Sequence, residues 1–198
     1  MTIGYYVIWP FAGPWPSVRL SESWPEFAIA WERVSRDRGI RRTQQPQQHH
    51  PLLPYQPESE LAVHRARHST ARLSAIQIRD VAEGLGQTIM KRRYRVWACS
   101  ILPQYIHPVL GTSPDGIAEM CRQLKSAATR RLGSERRRPQ YIAETERSHA
   151  EFWAPGEWRC PLRLPAEVRL AILYAEQTPK QEGRSEQFWP FVTAFESA

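Results

Sequence analysis

The pattern of apolar and polar residues divides the chain into short strands, helices and one long polar segment. The aromatic and β-branched run GYYVIW, residues 4–9, predicts a first strand. Residues 24–35 predict a short helix, because three aromatic side chains recur there at helical spacing. From about 36 to 72 the chain is rich in proline, glutamine and basic residues, which indicates a loop-rich insertion.

The middle of the chain predicts a helix followed by a strand hairpin. Ser74 is placed as an N-cap, and aliphatic residues then form one face of a helix that runs to about residue 91. Residues 94–102 are apolar on both faces, which predicts a central strand. After a turn, residues 105–111 return as the second strand. Pro108 lacks a backbone donor, so it suits an edge or a bulge.

Two more helices and an apolar tail complete the pattern. Residues 113–132 begin with a serine cap and a proline, and their apolar stripe lies opposite a basic face. The aromatic segment 152–158 is irregular. Residues 164–177 predict a last helix, with Tyr174 at the rim of its buried stripe. The tail FWPFVTAF, residues 188–195, is expected to dock on the body of the protein.

The order of these elements predicts the fold class. A strand, a helix, a strand hairpin over 94–110 and a further helix suit a ferredoxin-like α+β sandwich, in which helices pack on an antiparallel sheet. At 198 residues the chain favours one domain over two, since domains average roughly 150 residues. We therefore predict a single domain over residues 1–198, elaborated by the insertion at about 36–72.

Charge and cysteine content limit the partners, metal sites and cellular location that fit the sequence. The chain has 27 basic and 20 acidic residues and a net charge of +7, which favours a polyanionic partner, nucleic acid before membrane. No apolar run approaches the roughly 20 residues of a membrane helix, and the N-terminus lacks the features of a signal peptide. The three cysteines are widely spaced, which indicates free thiols and no zinc site. These features predict a cytoplasmic protein.

The strand hairpin raises a question about chemistry. In SILPQYIHPVL, residues 100–110, side chains alternate along the returning strand, so Tyr105 and His107 share one face. Two histidines at this spacing would form a metal clamp, but a tyrosine holds one of the two places. A lone inward histidine is most often packed or hydrogen-bonded in a core. A damaged metal site and a core histidine are therefore both open at this point.

Four stretches of the sequence, in this order, carry a resemblance to a known family. GYYVIWPFAGPW resembles an opening strand with a Gly-x-Trp turn, and VWACSILPQYIHPVL resembles a strand pair that ends in Leu/Met-Pro-x-His-hydrophobic-His. LKSAATRRL resembles a basic helix, and ILYAEQTPKQEG resembles a helix that ends in Tyr-x-x-x-Asn-Pro-x-x-x-Gly. The chain thus resembles the REP-associated tyrosine transposases of the insertion-sequence-200-like (HUH) group of single-strand DNA transposases.

This resemblance implies a site and shows where the chain departs from it. In the family, two histidines and a polar residue of the last helix hold a divalent metal, Mg²⁺ or Mn²⁺, and a tyrosine attacks phosphorus. The resemblance assigns Tyr174 to the nucleophile and His107 to the second histidine. Tyr105 replaces the first histidine, and Thr178 replaces the third ligand. A phenol with a pKa near 10 and a threonine hydroxyl are poor ligands, so we expect weak or lost metal binding.

The resemblance also implies single-stranded or hairpin DNA as the partner. Four basic residues of the predicted helix form either a track for DNA or a solvated face, and they are Arg122, Lys125, Arg130 and Arg131. The leading hypothesis is therefore a transposase-like DNA-binding protein with a degenerate nicking and rejoining site.

Two alternative functions stay open from the sequence. The first is an active single-strand transposase with rearranged metal ligands, in which Gln104 or Gln177 replaces the lost groups. The second is a ferredoxin-like module that binds RNA or acts as a scaffold. Metal-dependent cleavage of hairpin DNA separates the first alternative from the leading hypothesis, and a preference for RNA indicates the second.

Overall fold

The computed structural model describes residues 1–11, 72–133, 152–153 and 157–196. All of them belong to one compact unit of the chain. The predicted helix at 24–35 lies outside the described residues, and so does the predicted insertion at about 36–72, except for Arg72.

Four antiparallel strands form one sheet in the order β2-β3-β1-β4. The elements, in chain order, are β1 Gly4–Pro10, α1 Ala75–Arg92, β2 Val96–Ile101, β3 Tyr105–Gly111, α2 Gly116–Leu132, β4 Trp158–Leu162 and α3 Pro165–Gln181. This order and pairing confirm the predicted ferredoxin-like α+β fold with an additional C-terminal helix. No helix in the described ranges is both long and apolar enough to cross a membrane.

Alternating side chains of the strands face two different helix layers. Val7, Trp9 and Ile106 belong to the main core, together with the apolar faces of α1 and α2. Tyr6 and His107 are each offset by one residue along their strands, and their rings meet helix α3 instead. The sheet is therefore covered by α1 and α2 on one face and by α3 on the other.

Strand β2 lies at the edge of the sheet, so the prediction that it is central was wrong. Its residues are all buried because α1 and α3 cover its two faces and the C-terminal tail covers its outer edge. The Gln187 side chain accepts from the Ile101 N–H and donates to the Ile101 carbonyl, both at 2.8 Å. The Thr193 N–H donates to Val96, and Phe191 enters the core. The predicted docking of the tail is confirmed.

Replacing Gln187 with alanine is expected to lower the free energy of unfolding by about 1–2 kcal/mol, because both backbone groups of Ile101 lose their partner. Gln181→Ala is a matched control, since Gln181 is exposed at the end of α3. The control should stay within about 0.5 kcal/mol of the unmodified protein. Urea denaturation followed by circular dichroism measures both variants. Equal unfolding energies for the two variants would show that this amide does not hold the tail on β2.

Two glycines inside α1 are explained by close packing against other elements. A Cβ atom at Gly84 would lie 2.9 Å from the carbonyl oxygen of Ala127 in α2. A Cβ atom at Gly86 would lie 3.0 Å from Cδ1 of Phe191 in the tail. Each glycine costs a helix about 1 kcal/mol relative to alanine. The close approach of α2 and of the tail offsets that cost.

Strand β4 is an element that the sequence pattern did not predict. Its sequence WRCPL contains an arginine and a proline and has no clear alternation. It forms a strand because it pairs with β1, where Tyr6 lies opposite Cys160 and Tyr5 opposite Pro161. Pairing with a neighbouring strand therefore decides its conformation, since the local propensity is weak.

The helix ends also differ from the prediction. Helix α3 continues four residues beyond the predicted end at 177 and includes Pro179 in its last turn. The N-cap of α2 is Asp115 and not Ser113, whose hydroxyl accepts a hydrogen bond from the Asp115 N–H at 3.3 Å. The longer α3 carries Glu182 to the edge of the candidate site described below.

Pro108 lies in the inner strand β3 and not at a sheet edge. The pairing of β3 with β1 is interrupted over His107 and Pro108, and the pairing with β2 is irregular between Val96 and Ala98. The missing N–H of the proline falls at this interruption, so no ladder donor is lost there.

Candidate functional site

Helix α3 lies on the sheet face that carries Tyr6 and His107. The hydroxyl of Ser100 in β2 donates a hydrogen bond to the carbonyl oxygen of Ala175 in the middle of the helix. The predicted apolar stripe of α3 is mostly buried: Val168, Ala171 and Ala175 are buried and Ile172 is partly exposed. This hydrogen bond and the buried side chains of the stripe fix helix α3 against this face of the sheet.

His107 is buried and hydrogen-bonded to a residue that the motif analysis did not single out. Its side chain is only 5% exposed, and its Nδ1 lies 2.6 Å from the hydroxyl oxygen of Tyr6. Burial lowers the pKa of His107 to about 3, so the imidazole is neutral at neutral pH. Burial, and then the nearby Tyr174 and Cys160, raise the pKa of Tyr6 well above its usual value of 10. Both partners are therefore uncharged.

The ring of Tyr105 also packs against His107. Its ring centroid lies 4.7 Å from that of His107, with the two planes tilted by 34°. Its hydroxyl donates a hydrogen bond to the carboxylate of Glu182, which follows the last residue of α3. Burial raises the pKa of Glu182, although Arg184 and Arg72 act against this shift. Tyr105 thus links the start of β3 to the end of α3.

Tyr174 and Thr178 lie one turn apart on α3, and the Tyr174 ring faces the sheet residues His107 and Tyr6. The Tyr174 ring is nearly parallel to His107, with centroids 6.5 Å apart, and meets Tyr6 edge-on at 6.1 Å. Thr178 is buried, and its hydroxyl donates to the carbonyl oxygen of Tyr174 at 2.7 Å. The partial exposure of Tyr174 agrees with its predicted place at the rim of the helix face. The threonine hydroxyl is used within the helix itself.

The structure therefore brings the rings of Tyr105, His107 and Tyr174 together on one face of the sheet. Sequence reasoning missed two members of this cluster, Tyr6 and Glu182. Alternation in GYYVIW allows only one of two adjacent tyrosines on this face, but it does not say which. Glu182 follows Thr178 by four residues, a spacing that places both on one helix face only if the helix continues through the proline.

The arrangement does not fit the divalent metal that the family resemblance implies. Each candidate ligand side chain is already hydrogen-bonded or packed within the protein, and these are Tyr105, His107 and Thr178. Within the described part of the chain, no three His, Cys, Asp or Glu side chains cluster as ligands. Mg²⁺ and Mn²⁺ prefer carboxylate, carbonyl and imidazole ligands, whereas Tyr105 and Thr178 offer neutral hydroxyl groups. At the three ligand positions that the resemblance assigns, the chain therefore offers one imidazole and two weak hydroxyl ligands.

The basic residues of α2 lie in the layer on the opposite face of the sheet. Arg122 donates two hydrogen bonds to Glu119 on the same helix, and Arg131 pairs with Glu83 of α1. The hydrogen bonds from Arg122 lower the pKa of Glu119 to about 2. Much of the positive charge expected on this face is thus balanced by neighbouring carboxylates.

Lys125 belongs to a largely buried ionic cluster. Its Nζ lies 2.8 Å from Glu157, which also pairs with Arg159, and 5.6 Å from the ring centroid of Trp153. Its side chain is 16% exposed and that of Glu157 is 9% exposed. Burial alone raises the pKa of Glu157, but the two cations outweigh it and the pKa falls below its usual value. Lys125 therefore ties α2 to the start of β4.

Arg130 differs from the other three cations of this helix. Among the residues that the structure covers, its guanidinium contacts the hydroxyl of Ser126, at 2.7 Å, and no carboxylate. Arg130 also lines a surface cavity of about 470 Å³ together with Ser126, Thr129, Gly133 and Trp153. Its charge is the most available of the four for an external anion.

The three cysteines carry no candidate chemistry. All are buried free thiols, as predicted. Burial raises the pKa of each thiol, to about 12 for Cys121 and Cys160, so none forms a thiolate at neutral pH.

The fold resembles that of solved transposases. One is a REP-associated tyrosine transposase bound to a REP hairpin, with a TM-score of 0.47 and 12% identity over 93% of this chain and 72% of that chain. The chain is similar to a transposase. Another is a candidate transposase from Deinococcus radiodurans R1, with a TM-score of 0.44 and 11% identity over 93% of both chains. No protein-family model and no curated protein sequence matches the chain.

Proposed function

We propose that this chain binds single-stranded or hairpin DNA as a protein of the REP-associated tyrosine transposase type, with a degenerate nicking and rejoining site. The observation that carries the proposal is the meeting of Tyr105, His107 and Tyr174 on one sheet face. The family resemblance assigns the first ligand, the second ligand and the nucleophile to these three positions. Their convergence from β3 and α3 supports a common origin for the site.

The chemistry of the cluster supports the degenerate state. Attack by a tyrosine on a phosphodiester requires positive charge against the phosphate oxygens as negative charge develops there. His107 is neutral at neutral pH because burial lowers its pKa. Tyr105 and Thr178 supply hydroxyl groups that are already bonded to Glu182 and to the helix backbone. We therefore propose that Tyr174 occupies a nucleophile position without the groups that would activate its target.

The net charge of +7 supports DNA as the partner. The contacts that the basic residues of α2 make within the protein indicate how available each charge is for a phosphate. We propose Arg130 as the principal phosphate contact, since its charge is the most available. Arg131 and Arg122 would bind phosphate only in exchange for their carboxylate partners. Lys125 is proposed to be structural, because Glu157 holds it in a mostly buried position.

The test of this function is binding to a library of labelled single-stranded hairpin DNA with Mg²⁺ or Mn²⁺ present. We expect salt-sensitive binding without a covalent protein–DNA adduct. Robust metal-dependent cleavage would instead support an active enzyme with rearranged ligands. Preferential binding of an RNA hairpin of the same sequence, or no binding, would support the RNA-binding or scaffold module.

The same assay measures the role of the basic helix. Arg130→Gln should reduce the slope of log affinity against log salt by roughly 0.7–0.9, the value for one lost phosphate contact. Lys91→Gln is the charge-matched control, since Lys91 is exposed at the end of α1, and its slope should remain that of the unmodified protein. An unchanged slope for Arg130→Gln would place the DNA elsewhere on the protein.

A further inference from the structure

We infer that Tyr6 is a positioning residue that holds His107 in the tautomer with its proton on Nε2. In that state Nδ1 accepts the Tyr6 hydroxyl, and Nε2 offers an N–H donor and no lone pair. This tautomer disfavours a metal cation at His107.

The chemistry of the two side chains indicates which one donates. The Tyr6 oxygen and the His107 Nδ1 lie 2.6 Å apart in a buried contact. In a neutral pair, an unprotonated imidazole nitrogen is a stronger hydrogen-bond acceptor than a phenol oxygen. The contact therefore fits a phenol hydroxyl that donates to an unprotonated ring nitrogen. A phenol is also a more acidic donor than a neutral imidazole N–H.

The surroundings keep both partners in these states. Tyr6 has no exposed surface and His107 is 5% exposed, so no bulk water competes for the hydrogen bond. A neutral imidazole carries one ring proton, and with Nδ1 accepting, that proton is on Nε2. The rings of Tyr105 and Tyr174 lie beside the imidazole at 4.7 and 6.5 Å. A rotation that exchanges the two nitrogens would have to displace them.

This inference adds a further obstacle to metal binding in this chain. A histidine ligates a metal through an unprotonated nitrogen, and the other nitrogen usually donates to an acceptor that fixes the required tautomer. Here Tyr6 supplies a donor where a metal site needs an acceptor. When the altered ligand positions at Tyr105 and Thr178 are restored, Tyr6 therefore still favours the tautomer without a lone pair on Nε2 and lowers the metal affinity of the restored site.

The test is long-range ¹H–¹⁵N correlation spectroscopy on the uniformly labelled full chain without DNA, with the His107 signals assigned from their loss in His107→Gln. We expect a protonated Nε2 and an unprotonated Nδ1 at neutral pH. A protonated Nδ1 in the unmodified protein would overturn the inference. This measurement does not depend on DNA binding, so it can fail while the proposed function stands, and the reverse.

A matched pair of variants assigns the effect to the hydroxyl of Tyr6. Tyr6→Phe should shift His107 toward a mixture of the two tautomers. Tyr5→Phe removes a hydroxyl from the neighbouring residue, which packs on the main core, and should leave the signals unchanged. In a Tyr105→His/Thr178→Asn background, Tyr6→Phe should raise Mn²⁺ affinity by about tenfold, a typical size for a change in the partner of a metal-bound histidine. An unchanged tautomer and an unchanged affinity in the Tyr6→Phe variants would contradict the inference.

Discussion

The double variant Tyr105→His/Thr178→Asn is expected to bind Mn²⁺ more tightly than the unmodified chain and to form a covalent adduct with hairpin DNA. The added imidazole and amide restore the two altered ligand positions, and Tyr105→His also frees the carboxylate of Glu182. We expect a gain in affinity of more than about tenfold, because direct ligands contribute more than their partners do. Tyr105→His alone should give a smaller gain. Isothermal titration calorimetry measures the Mn²⁺ affinity, and denaturing gels of labelled DNA measure the amount of covalent adduct.

Tyr174→Phe in the same background is the control for the nucleophile. It removes one hydroxyl from α3 and should abolish the adduct while metal and DNA affinities remain those of the double variant. An adduct that survives this change would exclude Tyr174 as the attacking group. An adduct formed equally by the unmodified protein would show that the present residues already suffice for cleavage.

Lys125→Met is expected to lower the free energy of unfolding by about 3 kcal/mol at neutral pH, because it leaves a mostly buried carboxylate with one cation fewer. Glu157 keeps Arg159, which places the effect at the lower end of the range for a broken buried ion pair. The sequence predicted that this residue contacts DNA, and we propose a structural role for it because it pairs with Glu157 and lies over the ring of Trp153. Urea denaturation measures the loss, and the salt dependence of DNA binding should not change.

The effect of Lys125→Met should depend on pH in a defined direction. The folded-state pKa of Glu157 lies below its unfolded value, so its contribution to stability is present above the unfolded pKa. That contribution disappears as the pH falls through the folded-state pKa. The difference between the variant and the unmodified protein should therefore narrow below about pH 4. A difference that stays constant into the acid range would mean that the lysine stabilises by packing alone.

Arg122→Met is the matched control for this prediction. Arg122 lies on the same helix and also pairs with a glutamate, but its side chain is 66% exposed. Water and salt screen such a pair, and we expect no measurable change in unfolding energy. A loss of stability as large as that of Lys125→Met would show that burial does not distinguish the two cations.

Local sequence determined most of the elements of this protein and the spacing of its candidate site. Helical and alternating patterns predicted α1, α2 and α3 and the strands β1, β2 and β3. Alternation placed Tyr105 and His107 on one strand face, and a four-residue spacing placed Tyr174 and Thr178 on one helix face. Whether two residues share a face depends only on the two-residue alternation of a strand or the 3.6-residue turn of a helix, so it can be inferred without a structure.

Tertiary structure alone decided which groups meet across the sheet. The tail on the edge of β2, the hydroxyl of Tyr6 on His107 and the carboxylate of Glu157 on Lys125 all join residues more than 30 positions apart. No local pattern encodes such contacts, because they follow from sheet order and helix packing. The sequence therefore determined which strand face or helix carries each aromatic and basic residue of the candidate sites. The fold decided that His107 is neutral and bonded to Tyr6, and that Lys125 is held inside an ion pair, since burial and partners set the charge and availability of each group.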